Sequence, residues 1–379
     1  MNKSADDART GAVRFADFLH RDTGSVAPGE AYAPAIVPTS IYGLASVPSG
    51  EYQYARWANP GWTALERALG MLENAQALIF PSGAAAVASL LASQLRPGER
   101  VLLQADGYMG TRTAAQKFLA PMRVHVDTCA TAQIAAHPLT GYRLILLESP
   151  SNPGLDLIDI RACAQRAHAA GATLVIDNTL MTPLAQRPLE LGADAVVYSD
   201  TKVINGHSDA VFGHVASRDE ALMAGVNEWR RVMGAIPGPF ETWMVQRGLE
   251  TLELRLTRMH ANALALATAL AQRGTLQVIY PGLPAHPGHA LAKTQMNGFG
   301  ALIGLVFSDA PTAERFLAQC RYLRSTTSFG GLHSSAERRA RWGDAVPEGF
   351  IRLSAGCEPT QDLCAEVLRA VDAVHSERN

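Results

Sequence analysis

The sequence predicts an α/β protein whose mainly parallel sheet is covered by helices on both faces. Three observations carry this. Short, continuously apolar runs alternate with helical patterns, and an apolar run without polar alternation is a strand buried on both sides. Glycine and proline turns separate the two kinds of segment. A length of 379 residues fits two domains or one large α/β unit and buries ample core.

The elements follow in order. Residues 1–57 are rich in Pro, Gly, Tyr and Ser with little periodicity. They read as an extended arm, either disordered or packed on a partner through Tyr32, Tyr42, Tyr52, Tyr54 and Trp57. A helix is predicted over 63–72, then a strand over 77–80. The Pro81-Ser82-Gly83 turn leads into a helix over 84–95. Strands over 100–104, 123–126, 144–148, 173–177 and 195–198 alternate with helices over 110–118 and 160–170. A long helical pattern at 240–273 bridges to strands over 300–307 and 350–354 and a closing helix over 362–374. This organisation gives an arm (1–57), a large domain (58–237) and a C-terminal domain (238–379).

Composition excludes several classes of function. The formal net charge is −2 and no run of like charges occurs, which argues against a nucleic-acid partner. The five cysteines are widely spaced and form no Cys-x-x-Cys, so neither a disulfide framework nor a zinc site is expected. His207 and Asp209 lack a third ligand, so no metal is expected. Residues 1–10 are polar without an apolar signal core, and no apolar stretch is long enough for a membrane span. A soluble cytoplasmic protein is expected.

Lysine usage is the sharpest chemical signal. The chain has 33 basic residues, of which only Lys3, Lys117, Lys202 and Lys293 are lysines. Lys202 follows the apolar run 195–198, in Ser199-Asp200-Thr201-Lys202. An amine forms an imine with an aldehyde cofactor and a guanidinium does not. Hydroxyls at Ser199 and Thr201 suit a phosphate beside it. The competing reading is a lysine that snorkels from a strand end.

Other pieces fall at predicted strand ends, where open parallel sheets bind ligands. Ser82-Gly83 is either an anion cradle or an ordinary helix cap. Asp177, followed by Asn178 and Thr179, either pairs with a protonated pyridine nitrogen or caps a turn. Tyr108, flanked by Gly107 and Gly110, stacks on a flat cofactor or packs locally. Asn152, in Glu148-Ser149-Pro150-Ser151-Asn152-Pro153, donates to a phenolic oxygen or serves a turn. Arg352 lies inside an apolar strand and needs an acidic partner, which is a substrate carboxylate or an internal salt bridge.

In this order these pieces resemble the Cys/Met-metabolism family of pyridoxal-phosphate enzymes, from about Pro38 to the C-terminus. Its members include cystathionine γ-lyase, cystathionine γ-synthase, cystathionine β-lyase, methionine γ-lyase and O-acylhomoserine sulfhydrylases. The segments carrying the resemblance are Ser199 to Asp209, Tyr54-Ala55-Arg56 with Asn59-Pro60, Glu148 to Pro153, Asp177-Asn178-Thr179 and Ile351-Arg352-Leu353-Ser354. The resemblance implies an aspartate-aminotransferase-like fold (fold type I), with a smaller α+β C-terminal domain. It implies that pyridoxal 5'-phosphate joins Lys202 as a Schiff base, with Lys202, Tyr108 and Tyr54 as the catalytic set. Asp177 and Thr179 serve the ring nitrogen, and Asn152 the phenolic oxygen. Ser82, Gly83, Ser199 and Thr201 hold the phosphate. Tyr54 and Arg56 reach the phosphate of a neighbouring subunit, in a homotetramer of dimers with shared sites. Arg352, Ser328, Ser334 and His333 line the substrate.

Some positions depart from the family pattern. Gly61-Trp62 follows Asn59-Pro60 where a threonine is usual, Ala84 replaces a methionine, and Val203 an aromatic residue. His333 stands where a glutamate near the distal end of the substrate is typical, which leaves the preference for cystathionine open. Gly110 stands where methionine γ-lyases carry a cysteine. The reaction implied is γ-elimination of cystathionine, giving cysteine, 2-oxobutanoate and ammonia. The alternatives are γ-replacement on an activated homoserine, β-elimination, and an idle relative that only binds the cofactor.

Overall fold

The structure is a computed structural model and describes residues 15–22, 25–46 and 50–376. The polar segment 1–10 and parts of the arm therefore lie outside the described residues. Seven strands form the first sheet: β1 (Gln76–Phe80), β2 (Arg100–Gln104), β3 (His125–Cys129), β4 (Leu144–Glu148), β5 (Thr173–Asp177), β6 (Ala195–Tyr198) and β7 (Gly213–Ser217). Their order is β1-β7-β6-β5-β4-β2-β3. All pairs are parallel except those of β7, which runs antiparallel between β1 and β6.

Side chains along each strand alternate between two apolar layers. In β6, Val196 and Tyr198 join one core while Ala195 and Val197 join another. In β4, Ile145 and Leu147 face one layer, Leu144 and Leu146 the other. Burial on both faces is why these strands read as unbroken apolar runs.

The helices are α1 (Phe15–Leu19), α2 (Pro60–Glu73), α3 (Gly83–Gln94), α4 (Met109–Ala114), α5 (Ile160–Ala169), α6 (Thr182–Ala185), α7 (Glu220–Met233), α8 (Pro239–Leu249), α9 (Leu252–Arg273), α10 (His289–Gln295), α11 (Ala310–Gln319) and α12 (Thr360–Ser376). The long pattern at 240–273 is two helices, not one. They break at Glu250-Thr251, just after Gly248 packs against the backbone of Asn205. The predicted helix 110–118 begins as α4 and widens into a π turn over Ala115–Leu119. The strand expected at 123–126 is displaced to β3, because Arg123 adopts a left-handed conformation (φ 66°) that ends the preceding turn.

The second sheet holds β8 (Gln277–Ile279), β9 (Leu302–Val306), β10 (Arg324–Ser325), β11 (Ser335–Arg338) and β12 (Phe350–Ser354), in the order β10-β11-β12-β9-β8. It is antiparallel except for β10 with β11. Its core takes Ala263, Leu266 and Leu270 from the second half of α9, with α11 and α12. Val245 and Leu249 of α8, and Leu252, Leu256 and Met259 of α9, join the first core instead. Helix α9 therefore ties the two cores together. Among the described residues no helix is long and apolar enough to cross a membrane.

Candidate active site

The carboxyl ends of β2, β4, β5 and β6, the start of α3 and the loop before β11 surround one cavity of about 230 Å³. Lys202 enters it from a tight turn after β6. That turn closes through Asn205 N–H to Asp200 O (2.9 Å) and Gly206 N–H to Lys202 O (2.8 Å). Arg255 of α9 fixes the turn from below, donating to the carbonyls of Val203 (2.5 Å), Ile204 (2.9 Å) and Gly248 (2.7 Å). Gly206, at φ +72°, leaves room for that guanidinium, which any Cβ there would strike.

The Lys202 amine donates to Ser328 Oγ at 2.6 Å and stands 5.1 Å from the Phe329 ring centre. Its pKa is lowered to about 8, first by burial and then by the Arg352 charge, with Glu337 opposing. Burial disfavours a charged amine. Lys202 is thus a cavity amine whose neutral, nucleophilic form is far more accessible than that of an exposed lysine, not a snorkelling surface lysine. Ser328, its partner, is held at φ 78°, a left-handed backbone that costs a non-glycine residue of order 1–3 kcal/mol.

Two carboxyl groups form the floor. Glu148 and Asp177 face each other in the β4–β5 register. Burial, and next the neighbouring Asp177, push Glu148 well above the usual carboxylate range. Its Oε2 accepts the Tyr108 N–H at 3.1 Å. Burial also raises Asp177, against two hydrogen bonds from Thr179, N–H at 3.0 Å and Oγ1 at 2.5 Å. Glu148 is thus the acid pushed toward its protonated form. Asp177 is the one whose ionised form is supported and which a cation would complete.

Helix α3 aims its N-terminus at the cavity. Ser82 caps it by accepting the Ala85 N–H at 3.0 Å. The first-turn amides of Gly83 and Ala84 have no intrahelical partner and line the cavity beside Ser199. A Cβ on Gly83 would lie 2.6 Å from Ser199 Cβ, so only glycine allows this approach. Free amides, a helix dipole and a serine make an anion cradle.

At the opposite wall Arg352 is buried. Its Nη1 donates to Asn152 Oδ1 at 2.7 Å, and its Nη2 to Ser328 O at 3.1 Å and Glu337 Oε1 at 2.5 Å. The internal salt bridge considered for Arg352 therefore exists. It does not remove the guanidinium from the cavity, which Arg352 still lines with Asn152. Since Asn152 uses its oxygen on Arg352, its amide N–H groups remain as donors. Tyr108 is 52% exposed at the cavity wall, which a core-packing tyrosine would not be.

Of the residues expected from sequence, Lys202, Asp177, Thr179, Tyr108, Asn152, Gly83, Ser199, Ser328 and Arg352 share this cavity. The others do not line it within one chain. Ser82 spends its hydroxyl on the cap. Thr201 Oγ1 donates to Phe212 O (3.1 Å) and accepts its N–H (2.9 Å). Ser334 is turned away, because its hydroxyl is held by Glu358 (2.8 Å) and Gly356 N–H (2.8 Å). His333 is exposed. Tyr54 and Arg56 lie on the arm, with Arg56 bonded to Arg231 O at 2.5 Å.

Sequence reasoning missed Glu337, Arg339, Arg255 and Phe329, and read Glu148 as the end of a strand with no role of its own. Glu337 had a discoverable signal: it sits directly opposite Arg352 in the β11–β12 register. Only a pairing of those strands reveals it.

The donor set fits pyridoxal phosphate. A buried carboxyl that lacks a cation suits a ring nitrogen, free helix amides suit a phosphate, and a deprotonatable amine lies between them.

Comparison with known proteins agrees. Residues 19–372 match the family described as Cys/Met metabolism PLP-dependent enzyme. A putative cystathionine gamma-lyase of Streptomyces coelicolor is 44% identical, covering 98% of this chain and 99% of that protein. A methionine gamma lyase structure from Micromonospora echinospora has a TM-score of 0.88 at 37% identity, covering 95% of this chain and 99% of its own. A cystathionine gamma synthase structure from Xanthomonas oryzae, in complex with cystathionine, has a TM-score of 0.90 at 31% identity, covering 95% and 98%. The two sheets are accordingly those of a fold type I enzyme, and the chain belongs to the Cys/Met metabolism family of pyridoxal-phosphate-dependent enzymes.

Proposed function

We propose that this chain is a carbon–sulfur lyase that eliminates the γ-substituent of cystathionine. With one water, the products are cysteine, 2-oxobutanoate and ammonia. The observation that carries the reading is one amine of lowered pKa, Lys202, sharing a cavity with a carboxylate clamp and a buried acid. A γ-substituent leaves only after protons come off both Cα and Cβ, and a single mobile base between them serves both steps. The γ position is further supported by the name of the relative that is 44% identical.

Bound pyridoxal phosphate supplies an aldehyde for the amine and an electron-withdrawing ring that spreads the charge of a deprotonated carbon. The chain does the rest. Asp177 keeps the ring nitrogen protonated, and Asn152 donates to the phenolic oxygen. Gly83, Ala84 and Ser199 hold the phosphate. Arg352 grips the substrate α-carboxylate and so points Cα–H at Lys202. The Lys202 amine would take the Cα proton, hand it back to the substrate–cofactor pair, and so be free to take one from Cβ and give it to the departing sulfur. Tyr108 covers the ring at the cavity wall.

The arm supports a shared site. Tyr54 is 40% exposed and Trp57 is 44% exposed, and the Arg56 guanidinium lies 5.4 Å from the Tyr54 ring centre. We assign Tyr54 and Arg56 to the phosphate of a neighbouring copy, in a homotetramer of dimers. Mixing an inactive Lys202→Ala chain with an inactive Arg56→Ala chain should then restore part of the activity, and no recovery would remove the shared site.

γ-Replacement is the second reading, because the Xanthomonas oryzae relative with a TM-score of 0.90 is named a synthase. Product analysis separates the two. 2-Oxobutanoate with free cysteine from cystathionine supports the lyase. Cystathionine formed from an O-acylhomoserine and cysteine supports replacement. Pyruvate with homocysteine would overturn both in favour of β-elimination.

A further inference from the structure

The cavity holds a second arginine that the α-carboxylate does not require. Arg339 lies in the turn after β11 and lines the same wall as Arg352. It is a built feature, not a loose surface side chain. Its Nη1 donates to Glu337 Oε1 at 2.7 Å, and its Nε to Asp344 Oδ2 at 2.7 Å. Glu337 Oε1 is the oxygen that also receives Arg352 Nη2, and Trp342 Nε1 fixes Glu337 Oε2 at 2.9 Å. One clamped carboxylate therefore sets the positions of both guanidinium groups.

The two arginines differ in depth. The Arg352 side chain is 4% exposed and that of Arg339 12%. Trp342, beside Arg339, is 51% exposed. The Arg352 charge weighs more on Lys202 than the Arg339 charge does, and Arg339 is the nearer of the two to solvent. A guanidinium has five N–H donors. Nε and Nη2 serve Asp344 (2.7 and 2.6 Å) and Nη1 serves Glu337, which leaves one N–H on each Nη for a further anion, and the planar fork matches a carboxylate.

We propose that Arg339 determines substrate specificity by binding a carboxylate at the far end of the substrate side chain. This rests on the amino-acid substrate and the Arg352 clamp proposed above. The ligand chemistry is a distal carboxylate, which either a dicarboxylic thioether such as cystathionine or a dicarboxylic acyl ester such as O-succinylhomoserine presents. O-acetylhomoserine and homocysteine lack it.

The test compares the holoenzyme with its Arg339→Gln and Arg339→Lys variants on all four compounds. Losing a charge-assisted contact should lower kcat/KM for the distal-carboxylate substrates about 10- to 100-fold more than for the other two, mainly through KM. Arg339→Lys should recover part of the difference. A loss confined to cystathionine or to O-succinylhomoserine identifies which source the site serves. An equal loss on all four overturns the proposal, since Arg339 would then act through Glu337 on Arg352, which every substrate needs. No loss on any also overturns it. A second arm does not depend on turnover: calorimetric binding of L-2-aminoadipate against L-norleucine to the same proteins. The wild type should prefer the dicarboxylate and Arg339→Gln should lose that preference. If wild-type protein turns over none of the four, the proposed reaction fails. The binding preference, present or absent, still decides the role of Arg339.

Discussion

Glu337→Gln perturbs the site without touching Lys202 directly. Glu337 is 3% exposed and accepts from Arg352 at 2.5 Å, Arg339 at 2.7 Å and Trp342 at 2.9 Å. Removing one partner of a buried ion pair leaves uncompensated charge and typically costs about 3–5 kcal/mol. Because two arginines share this carboxylate, the upper part of that range is expected in denaturant unfolding. The substitution also acts on Lys202. Its pKa of about 8, against 10.5 for a free lysine, reflects burial and the two arginines, with Glu337 pulling the other way. At about 1.36 kcal/mol per pK unit, a protonated Lys202 near neutral pH lies roughly 3 kcal/mol above an exposed lysine. Joining an aldehyde removes that cost. Without Glu337 the pKa must fall further. The assay is the rate at which cofactor-free protein captures pyridoxal phosphate, followed by visible absorbance across pH. For the wild type the rate should climb with pH, with its midpoint near 8, as the neutral amine accumulates. For Glu337→Gln the midpoint should move to lower pH. A midpoint that stays in place, or moves upward, would refute the electrostatic account of the site.

Three further outcomes are expected. Lys202→Ala should abolish product formation, and borohydride treatment, which should fix the cofactor to Lys202 in the wild type, should leave no adduct on peptide mapping. Gly83→Ala should weaken cofactor retention on dialysis while secondary structure by circular dichroism persists, because the added methyl displaces Ser199 from the anion cradle. His214 is buried, and burial alone would lower its pKa, but Asp200 at 2.7 Å outweighs that and raises it to about 9. Its protonation stabilises the fold fully below about 6.5, and this contribution is lost as pH rises through about 9. His214→Ala should cost about 3–5 kcal/mol at pH 6, with a smaller difference from wild type at pH 9.5 by thermal unfolding.

How much of the fold was legible depended on which interactions are local. The parallel strands announced themselves because both faces are buried, as in β4 and β6. Strand β7, Gly-His-Val-Ala-Ser, did not, because a histidine interrupts its apolar pattern. That histidine is tolerated only because Asp200 receives its Nδ1 and Tyr198 stacks on its ring at 4.3 Å. Both partners lie on or just after β6, so the strand becomes visible only once β6 and β7 are paired. The break between α8 and α9 has the same origin. Gly248 packs on the Lys202 turn, a contact that no helical periodicity encodes.

The candidate site divides along the same line. Lys202, Asp177 and Asn152 are set by strand ends and short loops, so their surroundings are written within a few residues of each. The charge that tunes Lys202 comes instead from Arg352, Glu337 and Arg339, joined by a β11–β12 register that brings together residues 15 positions apart. A buried arginine told only that an acid was needed, and both a substrate carboxylate and an internal partner met that need. The structure assigns the internal partner to Glu337 and still leaves Arg352 on the cavity wall, with Glu337 Oε1 divided between Arg352 and Arg339 and a second carboxylate, Asp344, bonded to Arg339. Burial lowers the Lys202 pKa first and the Arg352 charge adds to it, while the same guanidinium remains on the cavity wall for an anionic substrate.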